Sequence, residues 1–333
     1  MAITTFTLKD TVTTTSHMEV ISGDSRFIYV AAYSEGIRVY EVSDEGILTL
    51  KDFDVPVSIH CVWADENFVY ATSDTWATGG LFVYQVSEAG ILTLKDYYAP
   101  LGLINENKYD IYGDGNFIYI AMYDAGVYVF SISELGIVTF VTIIDIVDDM
   151  EAERIWGDGT YIYIATETGI HSYTVTALAV VTHIDYLPYY DGDSEASGIF
   201  GDSRFVYVET ADYFHIFEVS EAGIITTKQS YDDGGEYELG YGKRVFIDDN
   251  NHIFISKGSD GLKIIEVDGN GGISSIFEYD VGSMSVYDMW KRGNYLFVAD
   301  GSRGLKCFYV IETSAAAKRP INYFNRILPF KLN

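Results

Sequence analysis

Apolar and polar residues alternate over short runs along nearly the whole chain, and no segment carries a convincing 3.6-residue apolar period. The runs are rich in Val, Ile, Tyr and Phe and are bounded by Gly, Asp and Asn, so they predict strands joined by tight turns. One run recurs almost letter for letter: Gly23-Asp-Ser-Arg-Phe-Ile-Tyr-Val-Ala31, Gly113-Asp-Gly-Asn-Phe-Ile-Tyr-Ile-Ala121 and Gly157-Asp-Gly-Thr-Tyr-Ile-Tyr-Ile-Ala165. Weaker copies place the corresponding ring at Phe68, Phe205, His252 and Tyr295. An apolar or aromatic pair precedes the turn, as in Val62-Trp63 and Ile155-Trp156. A second run follows it (Gly36-Ile-Arg-Val-Tyr-Glu-Val-Ser43), and a third comes after a Gly turn (Gly46-Ile-Leu-Thr-Leu-Lys-Asp52). Each unit therefore predicts four strands, A to D.

The seven copies stand 41 to 49 residues apart, the period of a β-propeller blade. The last copy supplies A, B and C, ending in Leu305 to Ile311, and nothing after it reads as D. At the other end Thr7-Leu-Lys-Asp10 repeats the D-strand letters of Thr49 to Asp52 and Thr93 to Asp96. The expectation is an all-β fold: a single seven-bladed propeller over residues 1–312, four antiparallel strands per blade, closed by pairing Ile3 to Asp10 with Leu305 to Ile311. Residues 313–333 form a separate C-terminal arm.

The pattern apolar-x-Gly-x-x-aromatic-x-Tyr-Val-Ala, followed by Gly-Leu/Ile-x-Val-x-x-Val-Ser, resembles the LVIVD-repeat propellers over roughly residues 3 to 311. It departs from them where Pro usually follows Val-Ser, since Ser43-Asp-Glu-Gly46 and Ser87-Glu-Ala-Gly90 turn on glycine. It lacks the Gly-His and Trp-Asp pairs of WD repeats. The resemblance implies a propeller and a binding platform, and it carries over no catalytic residue.

Charge narrows the partners. With 21 Lys+Arg against 49 Asp+Glu the net charge is −28, which disfavours nucleic acid and anionic membranes because both reward basic clusters. At 48% hydrophobic residues the chain is too apolar for an acidic disordered protein. Cys61 and Cys307 have no ligand spacing, and no export signal or long apolar span is present, so a soluble protein made in the cytoplasm is expected.

Candidate chemistry lies on the face that holds the DA and BC connections, the top. The DA connections of blades 3 to 6 are rich in Tyr and acid, and Tyr189, Tyr190, Asp191, Asp193, Tyr231, Asp232, Asp233 and Tyr237 are candidates for a partner or glycan surface. The first residues of the A strands, which line the central channel, give a polar mouth of Glu19, His60, Tyr109, Glu153, Arg154, Arg244 and Asp288, whose opposite charges could also neutralise one another. Asp191, Asp193 and Glu195 alternate as in calcium loops, but the rest of an EF-hand is missing. The six histidines show no ligand spacing, so no metal site and no cofactor are expected. Without a Gly-x-Ser-x-Gly elbow, phosphate loop or His-Glu-x-x-His helix, the expectation is a protein that is not an enzyme.

The arm carries Lys318, Arg319, Arg326 and Lys331 and no acid, together with Ile321, Tyr323, Phe324, Ile327, Leu328, Phe330 and Leu332. Either it folds back on its acidic propeller or it docks on another subunit. The favoured expectation is a structural propeller anchored through its arm among the protein subunits of a larger assembly, with a virion as one setting. The alternative is a free glycan- or ligand-binding propeller using the top loops, and a propeller hydrolase comes third.

Overall fold

Twenty-eight strands, the first Ala2–Val12 and the last Leu305–Thr313, group into seven four-stranded antiparallel sheets in a computed structural model. The structure describes residues 2–73, 79–99, 110–146, 150–189, 195–202, 204–232, 245–248, 251–279 and 284–313, which contain no helix. In blade 1 the strands run Val20–Gly23, Phe27–Ala31, Ile37–Val42 and Leu48–Asp54, from the channel outwards. Blade 7 is composite: Asp288–Arg292, Tyr295–Ala299 and Leu305–Thr313 are completed by Ala2–Val12, with Phe6 opposite Val310 and Leu8 opposite Phe308. The closing pair extends two residues further at each end than the repeat predicts, to Val12 and Thr313. The inner strand of blade 7 touches that of blade 1, which closes the ring.

The recurrent Gly-Asp turn is explained by its Asp. Asp24 Oδ1 accepts from the Arg26 and Phe27 amides, each at 2.7 Å, while Oδ2 accepts the Tyr29 hydroxyl at 2.7 Å. Asp114 repeats the set with Asn116, Phe117 and Tyr119. Each Asp thus fixes the AB turn and satisfies a core hydroxyl that burial would otherwise penalise.

Neighbouring blades meet by size matching. Trp63, Tyr112, Trp156 and Trp290 lie against the turn glycine of the next blade, and a methyl on Gly113 would stand 2.5 Å from the Trp63 ring. Where the large ring shrinks to Ser22, the glycine becomes Ala64, whose amide donates to Ser22 Oγ at 3.0 Å. On the outer side, Asp10, Asp52, Asp96 and Asp185 each accept the D-strand amide of the following blade, at Leu48, Leu92, Val138 and Ile225, at 2.8 to 2.9 Å. The Asp of the N-terminal Thr-Leu-Lys-Asp therefore performs the task its repeat mates perform. This is why the letters match.

Candidate functional site

Strand A enters from the top, and its first backbone amides face the channel with no partner strand on that side. Carboxylates fill the gap. Asp110 accepts from its own Ile111 amide at 3.0 Å and from Ile155 of blade 4 at 3.1 Å. Asp288 accepts from Met289 at 2.7 Å and from Ile21 of blade 1 at 2.8 Å. Glu153 accepts the Ala196 amide, while Arg154 donates to the Ser197 carbonyl and to the Glu153 carbonyl, both at 2.7 Å. Asp288, Glu153 and Arg154 thus stitch blades together through backbone groups. Tyr109 and Arg244 lie outside the described residues.

The other described mouth residues, Glu19 and His60, make a different arrangement. His60 Nδ1 lies 3.3 Å from Glu19 Oε2 across the seam of blades 1 and 2. The Tyr33 ring meets the imidazole edge-to-face with centroids 4.9 Å apart. Beyond Glu19 stands Tyr287, whose hydroxyl is pushed up by burial and then by the Glu19 charge, and whose ring meets His17 at 5.5 Å. Two tyrosines, two histidines and one carboxylate from blades 7, 1 and 2 thus gather on one side of the mouth. Glu19 is nearly buried, whereas Tyr33 is 42% exposed.

Tyr33 sits there against a conformational cost. Its φ is +44°, in the left-handed region, and so is Tyr123 at +53°. Both occupy the BC-turn position where Gly258 (φ +55°) and Gly301 (φ +51°) serve blades 6 and 7. The turn must adopt this conformation because its residue latches onto the next blade: Tyr33 and Ile59 exchange backbone bonds at 3.0 Å, as Tyr123 and Ala152 do at 3.0 and 2.9 Å. A non-glycine residue pays about 1–2 kcal/mol there. Sequence reasoning missed both tyrosines; the available signal was Tyr in a column that holds Gly in two other copies. A second missed feature is Glu209, which replaces the small Ala31, Ala121 and Ala165 of its column and pairs at 2.7 Å with buried Lys257 of blade 6.

The loop candidates fare differently. Tyr189, expected at a loop tip, is a core residue: it is 5% exposed and stacks on His215 with centroids 5.0 Å apart and planes 13° from parallel. The chain turns inward there, and the Tyr189 amide donates to the Thr168 carbonyl at 3.0 Å. Tyr231 is half-buried beneath Lys263, whose ammonium lies 5.5 Å from the ring centre, and Asp232 is exposed at the strand end. Glu195 stands near Tyr123, whose hydroxyl is pushed up by its bond to Glu151. Tyr190, Asp191, Asp193, Asp233 and Tyr237 lie outside the described residues, as do the arm residues Lys318, Arg319, Tyr323, Phe324, Arg326, Ile327, Leu328 and Phe330. Among the described residues no three His, Cys, Asp or Glu side chains are grouped to hold a metal ion, and no helix is long and apolar enough to cross a membrane.

No family model matches the chain, nor does any curated protein sequence. Solved structures do match. A protein from Lactobacillus plantarum is 16% identical with a TM-score of 0.66, covering 90% of this chain and 89% of its own. Virginiamycin B lyase from Staphylococcus aureus is 11% identical with a TM-score of 0.65, covering 92% of this chain and all of its own. A candidate 6-phosphogluconolactonase from Bacteroides uniformis is 17% identical with a TM-score of 0.68, covering 80% and 85%. These likenesses carry the propeller fold and nothing about a virion or an assembly. They correct one expectation: rings of this build include proteins named as enzymes, so the missing sequence motifs do not make this chain non-enzymatic. The chain is a seven-bladed β-propeller.

Proposed function

We propose that the chain is a ligand-binding propeller whose site is the top mouth at the junction of blades 7, 1 and 2. Its ligand is a neutral, hydroxyl-rich glycan that lies on the Tyr33 and Tyr287 rings. The observation that carries this reading is Tyr33: an exposed aromatic ring held at a glycine-type position, in contact with an imidazole that faces a carboxylate. Backbone strain of this kind persists where the surroundings over-determine it, and it clusters at ligand sites. Tyr rings stack on sugar faces, and Glu19 accepts hydrogen bonds from hydroxyls. With its Nδ1 3.3 Å from Glu19, the His60 imidazole is held in place beside the Tyr33 ring. The acidic balance of the chain favours a neutral over an anionic ligand. The test is an array of neutral oligosaccharides followed by NMR mapping of the strongest binder. Perturbed Tyr33, His60 and Tyr287 ring signals are expected, and shifts confined to the AB and CD turns would refute the assignment.

A further inference from the structure

Strand D is the outer edge of every blade, and in four consecutive blades it presents an apolar side chain to solvent. Leu8, Leu50, Leu94 and Phe140 hold the same position in blades 7, 1, 2 and 3 and are 52%, 40%, 48% and 37% exposed. The fold does not demand this, because His183, Thr227 and Ser275 hold that position in blades 4, 5 and 6. Below it, the CD turns expose Ile47, Ile91 and Ile137 in blades 1 to 3, and Val180 and Ile224 in blades 4 and 5. Those of blades 1 to 3 carry exposed acids at Glu45, Glu88 and Glu134. The D-strand stripe is apolar on one side of the ring only, and above turns that carry carboxylates it marks an interaction surface for an apolar, basic segment.

Such a segment leaves the ring beside it. The last strand, Leu305–Thr313, descends from the BC turn and ends on the floor of blade 7. There the Tyr295 hydroxyl donates to the Asp44 carbonyl of the first CD turn, so this floor abuts blade 1. The following residues, 314–333, hold four basic and no acidic side chains among seven apolar ones. Twenty residues can span up to about 66 Å. Sheets packed face to face stand about 10 Å apart, so three blade edges fall within reach. We propose that residues 314–333 lie across the lower outer rim of blades 1 to 3 of their own chain. The attachment point favours the same molecule, because a short tether supplies an effective concentration of about millimolar. Blade 7 is already complete without them, so the segment covers the ring rather than closing it.

Hydrogen exchange on the full chain and on a chain ending at Thr313, with light scattering of both, tests the proposal independently of any ligand at the top. Truncation should speed exchange of the D-strand amides of blades 1 to 3 by about tenfold or more and leave those of blades 4 to 6 unchanged, with both chains monomeric. Equal exchange in blades 1 to 3 would overturn it. So would protection that disappears on dilution together with an oligomer, which would place the arm on a second copy. If the truncated chain fails to fold, the full chain carrying Leu50→Ser and Leu94→Ser is read instead: both sites are exposed, and amides in 314–333 should exchange about tenfold faster than in the parent. Unchanged arm exchange in that variant would refute the contact.

Discussion

Asp248 shows how the repeat absorbs a change. Its blade has Phe254 where five other turn Asp residues find a Tyr hydroxyl, and Asp248 instead meets His252 Nδ1 at 3.0 Å and Lys291 of blade 7 at 2.9 Å. Those partners outweigh desolvation and pull its carboxyl down to about 2. At two histidines burial dominates instead. Burial lowers His215 to about 4, and burial with the His183 ring beside it lowers His171 to about 4. Each is neutral in the fold and ordinary in the unfolded chain, so the unfolded state gains protons first as pH falls. Stability should be full above about pH 6.5 and should decline towards pH 4, by about 2–3 kcal/mol per histidine. Urea unfolding at pH 7 and pH 4 checks this. His215→Phe, the residue type of the matching Phe82, should flatten part of the slope; an unchanged slope would remove His215 from the account.

At the scale of strands and seams, Asp10 and the first strand carry the clearest expectations. Asp10→Ala leaves the Leu48 amide without its acceptor and should cost about 1–3 kcal/mol. Deleting residues 1–10 opens the C-strand edge of blade 7 and uncovers Phe308 and Val310, so the loss should be at least about 3 kcal/mol. Thermal melts of both variants check the order, and an unchanged melt of the deletion would contradict closure by the first strand. The blades and their closure were legible because turn chemistry is local: Gly-Asp and Thr-Leu-Lys-Asp recur as letters. The seams were less legible, since Ser22 and Ala64 are explained by each other across 42 residues. Tyr33 was missed because a backbone angle leaves no mark on composition, and Tyr189 was misplaced because a Tyr in an acidic connection reads as surface until its stacking partner, His215, is known.

For the molecule as a whole, the two faces divide the work. The floor is built from repeated Asp turns and ring-on-glycine contacts, while the top breaks the repeat with Tyr33, His60, Glu19 and the Glu209–Lys257 pair. Departures from a repeat that cost backbone strain are where function is expected. Replacing Tyr33 by Gly separates stability from binding, because glycine adopts a φ of +44° without strain while the exposed ring is lost. The most direct test is the affinity of the parent chain and of Tyr33→Gly for the best glycan of the array, with a melt of each. The account predicts stability within about 1 kcal/mol of the parent and affinity at least about tenfold weaker. Equal affinity in the two proteins would contradict a ligand site at the mouth of blades 7, 1 and 2.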